Sequence, residues 1–330
     1  VVAAEWSIEP SISLREEYND NIHLTASDRA GAWQTSISPS VKLSSKTETS
    51  EVNGLVQVGF SRFTGGKDLN QNSKSFSLFS SRQSERNTWG MNVSYQQDST
   101  VEGERIATGI AQPAGTRSRT VSVSPSWTRT LTEMVLLKLD YSLQNVKFEG
   151  GANLNEYTSQ RVGGTLQYYL SERDLVGLSV KHSRTGYAPQ ITEEILSPYY
   201  ILTTRVDKSE LSNVQLGFDH RFSETLLGSV MLGKQGSVSS SELSQVVCVG
   251  GYCFPLDSKG ESHGVSSLFN VKLEKTFEAA KVGGFASRET IPSGSGLVEA
   301  DRIGVSLSKS FTDAVSGTFN ATLHHTRFIS

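Results

Sequence analysis

Apolar residues recur at every second position through almost the whole chain, in runs about ten residues long, and a 3.6-residue period holds nowhere. The first run is Trp6, Ile8, Pro10, Ile12 and Leu14, interleaved with Ser7, Glu9, Ser11, Ser13 and Arg15. The second is Trp33, Ile37, Pro39, Val41 and Leu43 against Gln34, Ser36, Ser38, Ser40 and Lys42. Later runs centre on Val93, Val123, Leu139, Leu166, Leu216, Val271, Val305 and Ala321. Ten residues is about the length that a tilted strand needs to cross a bilayer. Strands of soluble proteins average nearer five or six.

The connections alternate between short and long. Several short ones share a pattern of aromatic or Leu, then Ser or Thr, then an acid: Leu131-Thr132-Glu133, Leu170-Ser171-Glu172, Phe222-Ser223-Glu224 and Phe311-Thr312-Asp313, with a variant at Phe277-Glu278-Ala279. Each is followed at once by a new alternating run and therefore reads as a tight hairpin turn. Long polar loops are expected near 19–32, 64–73, 97–118, 145–158, 184–208, 235–264 and 288–301.

Short turns at one end, long loops at the other and aromatics closing the apolar stripes describe a transmembrane antiparallel up-and-down β-barrel, all-β, spanning 1–330 as one domain. In lipid a sheet must close, because an open edge would leave amides unpaired where no water reaches them. The competing soluble β-sandwich also alternates, but its outer face should be rich in charge. Here the polar positions are mostly Ser, Thr, Gln, Asn and Gly, and only 20% of residues are charged. Fifteen strands are countable. Since bacterial barrels have even counts, about sixteen is expected, with the closing strand missing from the end of the sequence.

Composition removes other classes. A net charge of −3 with 8% aromatics is not a recipe for disorder. No run of about 18 apolar residues is present, which leaves no transmembrane helix. With no dense Lys/Arg block, nucleic acid is not an expected partner. Val1-Val2-Ala3-Ala4-Glu5 reads either as the tail of a signal peptide or simply as the lead into the first strand. Cys248 and Cys253, split by Val-Gly-Gly-Tyr, are too few for a zinc site. A disulfide stapling a Gly-rich loop is expected instead, which implies an oxidising compartment.

The inward stripe supplies the pore-lining candidates Arg15, Lys42, Asn92, Ser122, Lys138, Asp140, Gln167, Asp219, Arg221, Lys272, Glu274 and Asn320. It carries both charge signs and no single-sign ring of the kind that selects ions. Hydroxyls and amides with scattered charge suit water and sugars, although any wet lumen has this look.

No catalytic set stands out. Gly260-Glu261-Ser262-His263-Gly264 matches G-x-S-x-G, yet that motif works only on a strand-to-helix elbow, and here a polar loop is expected. His324 and His325 are adjacent on a strand and point to opposite faces. Asn21, Asp28, Asp68 and Asn70 could bind calcium in loops but are ordinary turn formers. No dinucleotide, P-loop or haem-attachment motif is present, so neither an enzyme nor a cofactor or metal site is expected.

The opening carries one more signal. Pro10-Ser11-Ile12-Ser13-Leu14-Arg15-Glu16-Glu17-Tyr18-Asn19-Asp20-Asn21-Ile22, then Leu24-Thr25, then Ile37-Ser38-Pro39-Ser40-Val41-Lys42-Leu43, resembles outer-membrane β-barrels encoded with exopolysaccharide synthesis and export systems of Gram-negative bacteria. The specific motif is confined to about the first 45 residues. The resemblance implies a porin-like barrel in the bacterial outer membrane, with polysaccharide as cargo and export-machinery proteins as partners beside the membrane lipids. It transfers no catalytic residue. The rival readings are a structural barrel that sheathes a partner such as an electron-transfer protein, and a barrel hydrolase. Many porins are trimers, so a homo-oligomer fits either way.

Overall fold

The computed structural model describes residues 5–19, 31–64, 70–99, 117–149, 154–196, 199–294, 296–312 and 315–328. All regular structure among them is antiparallel strand, and no helix is long and apolar enough to cross a membrane. The chain divides into two compact units, Val1–Leu154 and Asn155–Ser330.

The first unit is a meander of seven strands: β1 (Glu5–Asn19), β2 (Ala32–Lys46), β3 (Ser50–Phe63), β4 (Gln71–Gln83), β5 (Asn87–Ser99), β6 (Arg117–Thr132) and β7 (Val135–Glu149). Each pairs with the next in chain order. The β2–β3 ladder skips Pro39 and the β6–β7 ladder skips Pro125. Proline brings no N–H to a ladder, so both strands keep their register but lose pairing on one side.

The second unit holds β8 (Tyr157–Tyr169), β9 (Asp174–Tyr187), β10 (Gln190–Leu196), β11 (Tyr199–Ser223), β12 (Leu226–Val249), β13 (Tyr252–Thr276), β14 (Ala280–Ser293), β15 (Gly296–Thr312) and β16 (Val315–Phe328). Sixteen strands are counted among the described residues, the number expected, although two of them share one position in the sheet. β9 and β10 both pair with β11, Gly186 opposite Lys208 and Gln190 opposite Arg205. They are one stave interrupted at Ala188-Pro189, where three residues (187–189) on one strand face two (206 and 207) on the other. The missing proline N–H and the extra residue together make a bulge.

The turns fall where the aromatic–hydroxyl–acid pattern puts them. Leu170 N and Ser171 N donate to Asp174 O, and Phe277 N donates to Ala280 O. Asp313 lies outside the described residues. Three expected long loops are instead strand. Segment 184–208 holds the end of β9, β10 and the start of β11; 235–264 is the upper half of the β12–β13 hairpin; 288–301 is the tip of β14–β15. At 24 to 25 residues, β11–β13 extend about 80 Å at about 3.3 Å per residue, against a hydrocarbon core of about 30 Å. Their long apolar stripes lie at the turn-side ends, around Val214–Phe222, Leu226–Leu232 and Phe269–Phe277, while a short second run, Tyr252, Phe254 and Leu256, stands exposed at the far tip. The rest projects beyond the stripe as a sheet of β10–β13, closed at the tip by Gly250-Gly251. Both glycines take positive φ (58° and 89°), as a two-residue hairpin turn of the right hand requires.

The apolar face is bare. Ile12 is 73% exposed, Leu14 71% and Leu216 60%, and nearly every strand contributes such residues. A soluble sheet would bury that stripe. An exposed apolar band on long strands, ended by Phe222, Phe277 and Phe311, is the surface that a membrane-spanning sheet offers to lipid.

Candidate functional site: a polar face and a buried hairpin

On the opposite face, hydroxyls pair with hydroxyls across the register. Ser7 meets Ser44 at 2.7 Å, Ser11 meets Ser40 at 2.7 Å, Ser36 meets Ser61 at 2.8 Å, Ser94 meets Ser122 at 2.6 Å and Ser124 meets Ser142 at 3.1 Å. In the second unit Thr165 donates to Ser179 and Thr185 to Ser159, each at 3.1 Å. A hydroxyl both donates and accepts, so such pairs satisfy one another and leave a lone pair free.

Half of the charged candidates are ion-paired beside them. Arg15 reaches Glu17 at 2.5 Å and Lys42 reaches Glu9 at 3.5 Å. Lys272 and Lys281 clasp Glu274 at 3.0 and 2.7 Å. Ser229 donates to Asp219 and stands opposite Lys272, so Asp219, Ser229 and Lys272 form one row across β11, β12 and β13. Asn92 lies opposite Ser124, Lys138 opposite Thr128, Asp140 opposite Ser126, Gln167 opposite Gly177 and Asn320 opposite Ser306. Arg221 sits at a register shift beside the 224–225 turn, and its backbone N–H donates to Arg173 O.

The two units differ in what covers this face. In the first it is mostly open or half-covered, with Ala32 and Val146 buried. In the second Ser159, Ser183, Thr185, Tyr187, Ser209, Leu211, Gln235, Ser237 and Leu268 are buried. So is the β14–β15 tip, where Leu297, Val298, Glu299 and Ala300 are buried in succession. A strand of a membrane wall keeps one face exposed. Burial of four consecutive residues means that this stretch has chain on both faces.

The ladder explains how. β13 pairs with β14 only from Phe269–Arg288 to Thr276–Lys281, so above Arg288 the hairpin separates from β13. Its tip reaches β8: Asn155 N donates to Gly294 O at 2.8 Å, and Tyr157 Oη, on the polar face, donates to Pro292 O at 3.5 Å. Ion pairs hold the departing segment. Arg288 grips Asp301 through two bonds of 2.5 and 2.7 Å, and Arg327 Nε donates to Glu299 at 2.7 Å, with the Glu299 carboxylate almost fully buried. Arg302 pairs with Glu289 at 2.5 Å. Sequence reasoning missed this hairpin. Its signal was the matched run Arg288-Glu289 against Asp301-Arg302 about the turn at Gly294–Gly296.

The disulfide forms as expected, though it clamps paired strands rather than a loop: Cys248 stands directly opposite Cys253 with Cα atoms 4.0 Å apart. Gly260–Gly264, expected in a loop, lies on β13, and strand follows it, so the elbow that G-x-S-x-G chemistry needs is not there. His324 and His325 oppose Arg302 and Asp301 on β16, on opposite faces. Asn70 Oδ1 accepts from Phe63 N at 2.9 Å, as a turn former does, while Asn21 and Asp28 and Asp68 lie outside the described residues. Among the described residues no group of three or more His, Cys, Asp and Glu side chains is placed to hold a metal ion.

No family model matches the chain, and no curated protein matches it. Solved structures do. The open form of the ferric-catecholate import receptor of E. coli K12 superposes with a TM-score of 0.51 at 8% identity, over 96% of this chain and 65% of the receptor. The ferric yersiniabactin uptake receptor of Yersinia pestis gives 0.44 at 11%, over 98% and 54%. The chain thus spans about two thirds of the first receptor and about half of the second. The likeness defines a fold, that of the Gram-negative outer-membrane β-barrels, and the bare apolar stripe is the face which that fold turns to lipid. At this level of identity nothing about cargo follows.

Proposed function

We propose that this protein is a non-catalytic outer-membrane barrel, one domain over 1–330, whose polar face lines a passage for hydrophilic solutes, exopolysaccharide foremost. The observation that carries the reading is the self-paired hydroxyl face with its partly paired charges. Serine and threonine pairs offer many weak, equivalent hydrogen bonds, so a sugar chain can exchange one for the next without a deep well. The twelve candidates named above are the lining of that passage. The exopolysaccharide assignment is supported by the resemblance of the first 45 residues alone, and export-machinery proteins follow from the same resemblance as partners.

The sheath reading requires free space against the polar face. In the second unit part of that face is already covered by the protein's own chain, which favours a narrowed passage over a threaded partner. Planar-bilayer recording of the refolded protein tests the reading. The expected result is a steady conductance that long oligosaccharides reduce and monosaccharides do not. Complete electrical silence, with the barrel folded and inserted, would overturn the passage and return the sheath.

A further inference from the structure

β12 covers one edge of β13 along its whole length, but β14 covers the other only from Phe269 downward. Among the described residues, the upper edge of β13, Tyr252–Leu268, is therefore a row of backbone donors and acceptors without a strand partner, and side chains 252–263 are all exposed. Its direction can be read from the disulfide. A Cα separation of 4.0 Å marks Cys248–Cys253 as a pair without mutual backbone bonds, and the β12–β13 register runs unbroken from there. Odd-numbered residues of β13 consequently turn their N–H and C=O away from β12. These include Asp257, Lys259, Glu261 and His263.

Open edges are commonly blunted with charge and proline. Pro255 does that at one end. The next stretch does not, because Asp257-Ser258-Lys259-Gly260-Glu261-Ser262-His263 is complementary to itself when reversed. Laid antiparallel on a copy about Gly260, Lys259 faces Glu261 and Asp257 faces His263, twice each, and Ser258 faces Ser262. The parity agrees: the outward-turned residues pair with one another, giving about eight backbone hydrogen bonds. Gly260 meets its copy as the close pair, about 4.5 Å between Cα atoms. Within the chain nothing calls for glycine there, since a Cβ would meet no atom within 4 Å and φ is not positive. Glycine costs a strand stability, and at a two-fold axis that cost has a reason.

The geometry points to the upper edge of β13 as a self-pairing surface whose partner is a second copy of this chain, joined antiparallel about Gly260 into one continuous sheet. The pairing does not depend on what the barrel conducts. Because the joined strands run in opposite senses, the two barrels emerge at opposite ends of the shared ribbon. The contact therefore links copies in facing outer membranes.

Light scattering on the disulfide-bonded protein in detergent micelles should show a concentration-dependent dimer, and Gly260→Cys should cross-link it under oxidation. Lys259→Glu sets like charges opposite on both sides and should raise the dimer Kd by at least about tenfold. Lys259→Glu/Glu261→Lys exchanges the signs and should restore it. Phosphatidylethanolamine–phosphatidylglycerol vesicles carrying the protein should cluster, and those carrying Lys259→Glu should not. A monomer at every concentration overturns the self-pairing and leaves the edge to a strand from another protein. A dimer indifferent to Lys259→Glu, or not rescued by the double exchange, overturns the register. A dimer that leaves vesicles dispersed overturns the facing arrangement.

Discussion

At the scale of single residues, the sheet works by giving neighbours opposite tasks. Ser122 bonds Ser94 on the polar face at 2.6 Å, while Val123 beside it belongs to the apolar stripe. Arginine at 122 can extend into water. Arginine at 123 must put its guanidinium into hydrocarbon, at a cost of roughly 2–4 kcal/mol near mid-bilayer. Refolding titrations into lipid vesicles should therefore show Val123→Arg strongly destabilised and Ser122→Arg close to wild type. Equal losses would mean that the faces are assigned the wrong way round. This level was legible in the sequence. The apolar residues of the stripe alternate with Ser, Thr, Asn, Gln, Gly or charged neighbours, and lipid on one side with water on the other leaves no alternative to period two.

The elements were legible only where lipid imposes that period. β1, β2 and the turns at Leu170 and Phe277 stand where alternation and turn chemistry put them. The upper halves of β11, β12 and β13 carry no sustained apolar alternation, so runs such as Ser237–Ser244 look like loop. The β14–β15 tip fails for the opposite reason. Covered on both faces, it mixes Ile291, Leu297 and Val298 with Arg288, Glu299 and Asp301 in no simple period. That segment should also be separable in energy from the wall. Arg288→Met would leave the Asp301 and Glu299 carboxylates close together, with Glu299 buried and only Arg327 to balance them. Losing one member of a fully buried pair costs about 3–5 kcal/mol, and less here, where Arg288 and Asp301 are partly exposed and only Glu299 is buried. Hydrogen exchange in micelles should then show amides of 289–300 exchanging much faster, with β11 and β12 at their turn ends unchanged. Loss of protection throughout the second unit would show instead that the hairpin is integral to the wall.

For the whole molecule, charge decides what a passage lined by this polar face can distinguish. The net charge is −3, but several charges on the polar face are paired locally: Arg15 with Glu17, Lys42 with Glu9, and Lys272 and Lys281 with the one Glu274. Opposite charges about 3 Å apart look neutral to an ion a Debye length away, about 8–10 Å at ordinary ionic strength. A one-sign ring would hold its field across a pore and sort ions by charge. Paired charges sort by size and hydrogen bonding instead. The reversal potential across a tenfold KCl gradient should accordingly lie close to zero. Glu274→Gln should move it toward anion preference, because Lys272 and Lys281 are then released together without their common partner. A wild-type channel already strongly selective for one sign would mean that current flows past other residues.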